Sequence, residues 1–294
     1  RSIWVTGVQT CALPISQDSA YRPQSARAGD AKFIFKSADG GQSWQDISEG
    51  LPENSQRDGF ITNESGVHLR AGDVTYHSIP NSKAPFWKKE IFPDKNSNIK
   101  WAAMYANSQE QDVRTVFESS TGTVFIGRDN GLFKSTDNGK TWKQVQSGGW
   151  ITKFVESKGI ILATSQAGII RSTDEGENWE TVISEGGVGI NVQPIDGGFA
   201  AITFNTTSET RRVRTSYDGG KTWQAIDAGL PASLSITSII QVGENFFCGH
   251  PRGIYKSSDK GKTWKLIIPS TGDKVFKLSV SGKMIYAILV PEGC

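Results

Sequence analysis

The sequence predicts an all-β fold, a propeller of four-stranded antiparallel blades, on three observations. A nine-residue phrase recurs five times in the 294 residues, its later copies are spaced near 40 residues, and each interval reads as four short strands. The copies are KSADGGQSW at 36, KSTDNGKTW at 134, RSTDEGENW at 171, TSYDGGKTW at 215 and KSSDKGKTW at 256. Their last four tryptophans, Trp142, Trp179, Trp223 and Trp264, lie 37, 44 and 41 residues apart. Such a unit buries too little surface alone, so neighbouring units must stack.

Taken in order, the first strands come from AKFIFKSADGGQSWQDIS, which supplies a third and a fourth strand around Trp44 with no first and second. The gap before Trp142 hides a degenerate unit, VHLRAGDVTYHSIPNSKAPFWKKEIF, which ends its phrase at Trp87 and has lost the Asp. Four units follow, ending at Trp142, Trp179, Trp223 and Trp264. In the last of them SITSIIQVG, ENFFCGH, GIYKSS and TWKLIIP are the four strands, and SSDKG is the hairpin between the third and the fourth. KVFKLSVSGKMIYAILV then provides a first and second strand without a phrase. Joined to the strands around Trp44, it completes a blade made from both ends of the chain, which closes the ring and removes free sheet edges. Six blades is the preferred count. The alternative is seven, because Trp101 in NIKWAAMYANSQEQDVRTV is placed like an outer-strand residue, although fourteen residues after Trp87 leave no room for three more strands.

The phrase S-x-D-x-G-x-[ST]-W resembles the Asp box, or bacterial neuraminidase repeat, found in the propellers of sialidases, some xyloglucan hydrolases, sortilin-type receptors and photosystem II stability factors. The resemblance covers the chain after residue 30, so residues 31–294 are expected to form a single propeller, preceded by an N-terminal segment at 17–30. Residues 1–16, RSIWVTGVQTCALPIS, resemble the translation of a sequencing adapter and are set aside as non-native. An Asp in such a turn accepts backbone amides ahead of it, and the Gly two positions on takes positive φ. The residues Asp39, Trp44, Asp137, Trp142, Asp174, Trp179, Asp218, Trp223, Asp259 and Trp264 are therefore read as structural, since five sites around a ring cannot converge on one substrate. The family resemblance places these turns on the face opposite the ligand.

Composition narrows the remaining choices. Lys and Arg number 32 against 30 Asp and Glu, a net charge of +2 with no basic stripe, which argues against nucleic acid. No apolar run approaches the length of a membrane span. Zinc spacing, a Walker motif and a dinucleotide fingerprint are lacking, so neither metal nor cofactor is expected. Cys248 in NFFCG reads as a small buried hydrophobe.

Candidate ligand contacts fall in the loops from second to third strand, where the frame repeats and the loop residues change. IGRDNGLFKS offers Arg128 and Asp129, ATSQAGIIRS offers Gln166, NTTSETRRVR offers Arg212, and CGHPRGIYKS offers His250 and Arg252. Trp150, in the blade-to-blade stretch SGGWITKF, is a candidate platform or a plug for the channel. The expected function is a non-catalytic binding or assembly module that meets a glycan or a protein on this face. Bacterial origin and export are implied by the family resemblance. The rival reading is a glycoside hydrolase of sialidase or xyloglucanase type. Against it, the chain lacks the F-R-I-P type motif of sialidases, and none of its six tyrosines matches the nucleophile position.

Overall fold

The computed structural model describes residues 33–52, 56–63, 66–71, 74–79, 81–90, 113–185, 187–270 and 274–291. The adapter-like segment and Trp101 lie outside the described residues. Strands β1 (Ile34–Ser37) and β2 (Gln45–Asp46) come first. Blade 2 holds β3 (Gln56–Asn63), β4 (Gly66–Ala71), β5 (Val74–Ser78) and β6 (Lys88–Glu90). Blade 3 holds β7 (Val113–Glu118), β8 (Val124–Arg128), β9 (Gly131–Ser135) and β10 (Lys143–Ser147). Blade 4 holds β11 (Ile151–Ser157), β12 (Ile160–Ser165), β13 (Gly168–Ser172) and β14 (Glu180–Ile183). Blade 5 holds β15 (Gly189–Ile195), β16 (Gly198–Asn205), β17 (Thr210–Ser216) and β18 (Gln224–Ala225). Blade 6 holds β19 (Ser238–Val242), β20 (Asn245–His250), β21 (Gly253–Ser257) and β22 (Lys265–Pro269). Finally, β23 (Lys274–Ser281) and β24 (Met284–Pro291) join the first two strands in the order β2-β1-β24-β23 and complete blade 1.

Among the described residues there are thus six four-stranded antiparallel sheets, with one sheet closed by both ends of the chain. Second and third strands are buried on both faces, as in β13, whose five residues are all buried. Middle strands are sandwiched between two neighbouring sheets, so second strands such as β16 read as near-continuous apolar runs, whereas outer strands such as β22 and β10 are largely exposed.

The core is divided among the blade interfaces. Phe125 and Leu132 of blade 3 meet Ile151, Phe154, Ile161, Ala163 and Ile170 of blade 4. Leu162 and Ile169 of blade 4 pack with Val192, Phe199 and Ala201 of blade 5, and Ile202 and Val213 of blade 5 with Ile239, Phe246 and Cys248 of blade 6. A larger cluster runs through blades 6, 1 and 2.

Hydrogen bonds from the inner strands and the residues next to them tie the same interfaces. Ser120 donates to Glu156 through both its amide and its hydroxyl, joining blades 3 and 4. Lys153 Nζ donates to Asn191 Oδ1 at 2.9 Å, and Asn191 Nδ2 donates to the Thr237 carbonyl at 3.1 Å, which links blades 4, 5 and 6. Thr237 Oγ1 then donates to the Phe276 carbonyl at 2.6 Å, and Thr62 meets Ser279, which carries the chain of contacts through blade 1 to blade 2.

Candidate binding face

Antiparallel blades put two sets of loops at opposite ends. The hairpins between third and fourth strands share one end with those between first and second strands. The loops from second to third strand, and from blade to blade, share the other.

The five boxes at the first end form the same turn. In the last, Ser257 Oγ donates to Asp259 Oδ1 at 2.8 Å and accepts the Gly261 amide at 2.8 Å. Asp259 also accepts the amide of Thr263 at 2.9 Å and its hydroxyl at 2.5 Å. The hydroxyl and amide of Thr263 hold the Asp259 carboxyl down to about 2, and Thr141 does the same for Asp137. For Asp174 the Asn178 amide is the leading cause, again to about 2, while Asp39 and Asp218 are also pulled below the usual range, chiefly by Ser43 and Thr222. Each of these carboxylates is saturated with donors from its own turn, so none is presented for acid or metal chemistry.

The Gly two residues after the Asp serves two needs. Gly261 has φ of 84°, and a Cβ there would stand 2.5 Å from Ile226 Cβ in the preceding blade. Gly176 and Gly41 similarly meet Phe125 and Phe247 of the blade before. The box is thus also the contact by which one blade seats on its neighbour.

A signal in the same phrase was missed at the sequence level: the basic residue just before the box Ser. Lys36 Nζ reaches the Ser82 carbonyl at 3.2 Å, Lys134 pairs with Glu177 at 2.7 Å, Arg171 Nε donates to the Gly219 carbonyl at 2.7 Å, and Lys256 Nζ to the Gly40 carbonyl at 3.3 Å. Every one of these partners lies in the turn of the following blade. Blade 5 has Thr215 at this position, and the preceding Arg214 pairs instead with Glu185 in the loop arriving from blade 4. The pattern K/R-S was visible in four of the five copies.

At the opposite end, the structure sorts the sequence-predicted residues into three groups. Asp129, Trp150 and Gln166 come together where blades 3 and 4 meet. What joins them is Arg114, which sequence reading did not single out. A bulge between Val113 and Thr115 makes Arg114 the extra residue of β7 and re-aims it. Its guanidinium pairs with Asp129 and lies 5.7 Å from the Trp150 ring centroid. The Gln166 amide donates to the Trp150 carbonyl at 3.1 Å, and the Gln166 side chain sits against Gly149. Trp150 is half-buried, so part of its indole stays accessible. Arg128 closes the same loop with its guanidinium over Phe133, 5.3 Å from the ring centroid.

Arg212 forms the second group, on blade 5. Its Nε and Nη2 donate to the two carboxylate oxygens of Asp227, at 2.6 and 3.1 Å, and Asp227 also accepts the Val213 amide. His250 and Arg252 form the third, on blade 6. His250, in a loop that the sequence marked for display, is 2% exposed. Its Nδ1 accepts the Arg252 amide at 3.0 Å, which leaves Nε2 to donate to the Pro231 carbonyl at 3.0 Å. The imidazole buttresses its loop, edge-on to Tyr255, while the Arg252 side chain is exposed.

No group of three or more His, Cys, Asp or Glu among the described residues could hold a metal ion. A shallow hollow of about 330 Å³, lined by Pro194, Asp196, Gln241 and Glu244, lies at the box end, away from these groups. No helix among the described residues is long and apolar enough to cross a membrane.

A family model described as BNR/Asp-box repeat matches residues 133–144 and 214–225, the boxes of blades 3 and 5. No curated protein matches the chain. Among solved structures, an ancestral GH74 enzyme is similar at 18% identity and a TM-score of 0.50 over 62% of this chain. The GH74 xyloglucanase of Xanthomonas campestris is similar at 16% identity and 0.41 over 74%. A putative TolB from Agrobacterium tumefaciens is similar at 9% identity and 0.51 over 88% of this chain and 98% of its own. The chain spans 28% of the ancestral GH74 enzyme and 38% of the xyloglucanase. At these identities the likeness is one of fold.

Proposed function

We propose that this propeller, which carries BNR/Asp-box repeats, is a non-catalytic binding module of an exported bacterial protein and takes a glycan at the rim between blades 3 and 4. The observation that carries the reading is the accessible indole of Trp150, flanked by the Arg114–Asp129 ion pair and by Gln166. An aromatic face suits the C–H face of a sugar ring, and the flanking charged and amide groups suit its hydroxyls.

The state of the carboxylates supports binding over hydrolysis. A glycosidase needs one carboxylic acid with a raised pKa beside a second, ionised carboxylate. Among the described residues, every carboxylate with a shifted pKa is shifted down. On the candidate face Asp129, Asp227 and Glu185 are each engaged by an arginine.

The test is a glycan array followed by titration of the best glycan into wild type, Trp150→Ala and Asp129→Ala. Losing one stacked ring should weaken binding by roughly tenfold, on the order of 1–1.5 kcal/mol, with the melting temperature little changed. Binding unaltered in Trp150→Ala would move the site elsewhere. Turnover of a fluorogenic glycoside, abolished by replacing a carboxylate of this face, would favour the hydrolase instead.

A further inference from the structure

Between the Ser and the Asp of the box stand Ala38, Thr136, Thr173, Tyr217 and Ser258, so a bulky side chain occurs there in one copy, that of blade 5. Tyr217 is 54% exposed, more than any other large apolar side chain among the described residues. Its ring lies against the β15–β16 hairpin, with Cδ1 3.2 Å from the place a Cβ on Gly198 would take. A single exposed ring means little by itself. What stands beside it does.

The hollow at the box end lies between blades 5 and 6, next to this ring. Two-residue hairpins bring Asp196 and Glu244 to its lining, where Ile195 pairs with Gly198 and Val242 with Asn245. Gln241 fixes the two hairpins to each other: its Oε1 accepts the Asp196 amide at 2.8 Å, and its Nε2 donates to the Gly243 carbonyl at 2.9 Å. The corresponding hairpins of blades 4 and 1 carry Lys158 and Lys283, so among these four blades two acidic hairpins adjoin only where Tyr217 stands. Neither carboxylate has a hydrogen bond or an ion pair among the described residues. Asp218, by contrast, spends its oxygens on Lys221 and Thr222 of its own turn. Partial enclosure raises the Tyr217 phenol above its usual pKa, against a hydrogen bond with Thr215, and the charges of Asp196 and Glu244 add to the rise. Both carboxylates therefore act on the ring.

The face of a ring attracts a cation, and two carboxylates with no cation of their own strengthen the attraction. At about 330 Å³ and open to solvent, the hollow is at the small end for a whole ligand and suits the end of one protruding side chain. We propose that this hollow docks a protein partner through a basic side chain, whose stem lies on Tyr217 and whose cation meets Asp196 and Glu244. The site is at the opposite end of the ring from the Trp150 rim and stands whether or not a glycan binds there.

Two-dimensional NMR titration of the full chain tests it, with Gly-Ser pentapeptides that carry one central lysine, arginine or norleucine. The amides of Asp196, Gly197, Gly243 and Glu244 report binding. Saturable shifts with the lysine or the arginine peptide, tighter than with norleucine by roughly fivefold or more, support the site, and the tighter of the two identifies the side chain. Affinity should fall by a similar factor in Tyr217→Thr, which installs the residue that two other boxes carry, and in the double variant Asp196→Asn with Glu244→Gln. It should be unchanged in Glu175→Gln, which neutralises an exposed carboxylate at the same end of blade 4. Glucosamine serves as the competing amine. The proposal is overturned if neither basic peptide gives saturable shifts, if norleucine binds equally well, if either variant binds as wild type does, or if glucosamine binds as tightly as the better peptide.

Discussion

At the scale of single residues, the box Asp shows how repetition separates architecture from chemistry. One copy of Asp259 with its depressed pKa would pass for a functional carboxylate. Five copies, each saturated by its own turn, do not. The depression has a sign that can be checked. Folded carboxylates near 2, against an unfolded value of about 4, contribute stability that is fully present above pH 4 and is lost as pH falls toward 2. Acid unfolding should therefore steepen between those limits, and Asp259→Asn should flatten it while lowering the melting temperature at pH 7. An acid limb identical to wild type would contradict the assignment. Gly261→Ala makes a sharper case, because it combines left-handed strain with a clash against Ile226. It should cost about 2–4 kcal/mol in denaturant unfolding, whereas Gly282→Ala, where a Cβ meets open space, should cost only its backbone strain.

At the scale of elements, strands and hairpins were legible because each is a local event written in the repeat. The four strands read around KSSDKGKTW correspond to β19 through β22. Side-chain placement on the candidate face was not legible, for physical reasons seen at two residues. His250 follows a frame that displays its neighbours, yet a carbonyl from a remote loop, Pro231, turns it inward. Arg114 carried no motif, and only the bulge in β7 brings it to Asp129 and Trp150. The basic residue before four of the five boxes was legible and was passed over because its partner lies a whole blade away. Its role predicts an asymmetry. Lys134→Met keeps the buried stem but leaves Glu177 with Lys143 alone, and should lower the urea midpoint. Replacing exposed Lys143, which meets the same Glu177, should cost much less. Equal effects in urea unfolding would show that the link between blades is not what Lys134 supplies.

At the scale of the whole molecule, stability depends on closing blade 1, because four-stranded sheets here bury their faces only against neighbours. The β1–β2 hairpin is held by two register pairs, Phe35 with Asp46 and Lys36 with Gln45, and a hairpin of that size is marginal alone. It is pinned by β24, against which Ile34 through Ser37 pair residue by residue. Strands β23 and β24 also contribute nine of the nineteen buried residues in the cluster that runs through blades 6, 1 and 2. Removing residues 274–294 would therefore bare the edge of β1, strip Ser238 and Thr237 of their partners in β23, and open the apolar faces of blades 6 and 2. The expected outcome is loss of a single cooperative thermal transition, with association through the exposed edges. Adding the deleted segment back as a synthetic peptide should restore both, since it would re-form the pairing with β1 and the packing against blades 6 and 2. A truncated chain that stayed monomeric with an unchanged melting temperature would mean that blade 1 does not lock the ring.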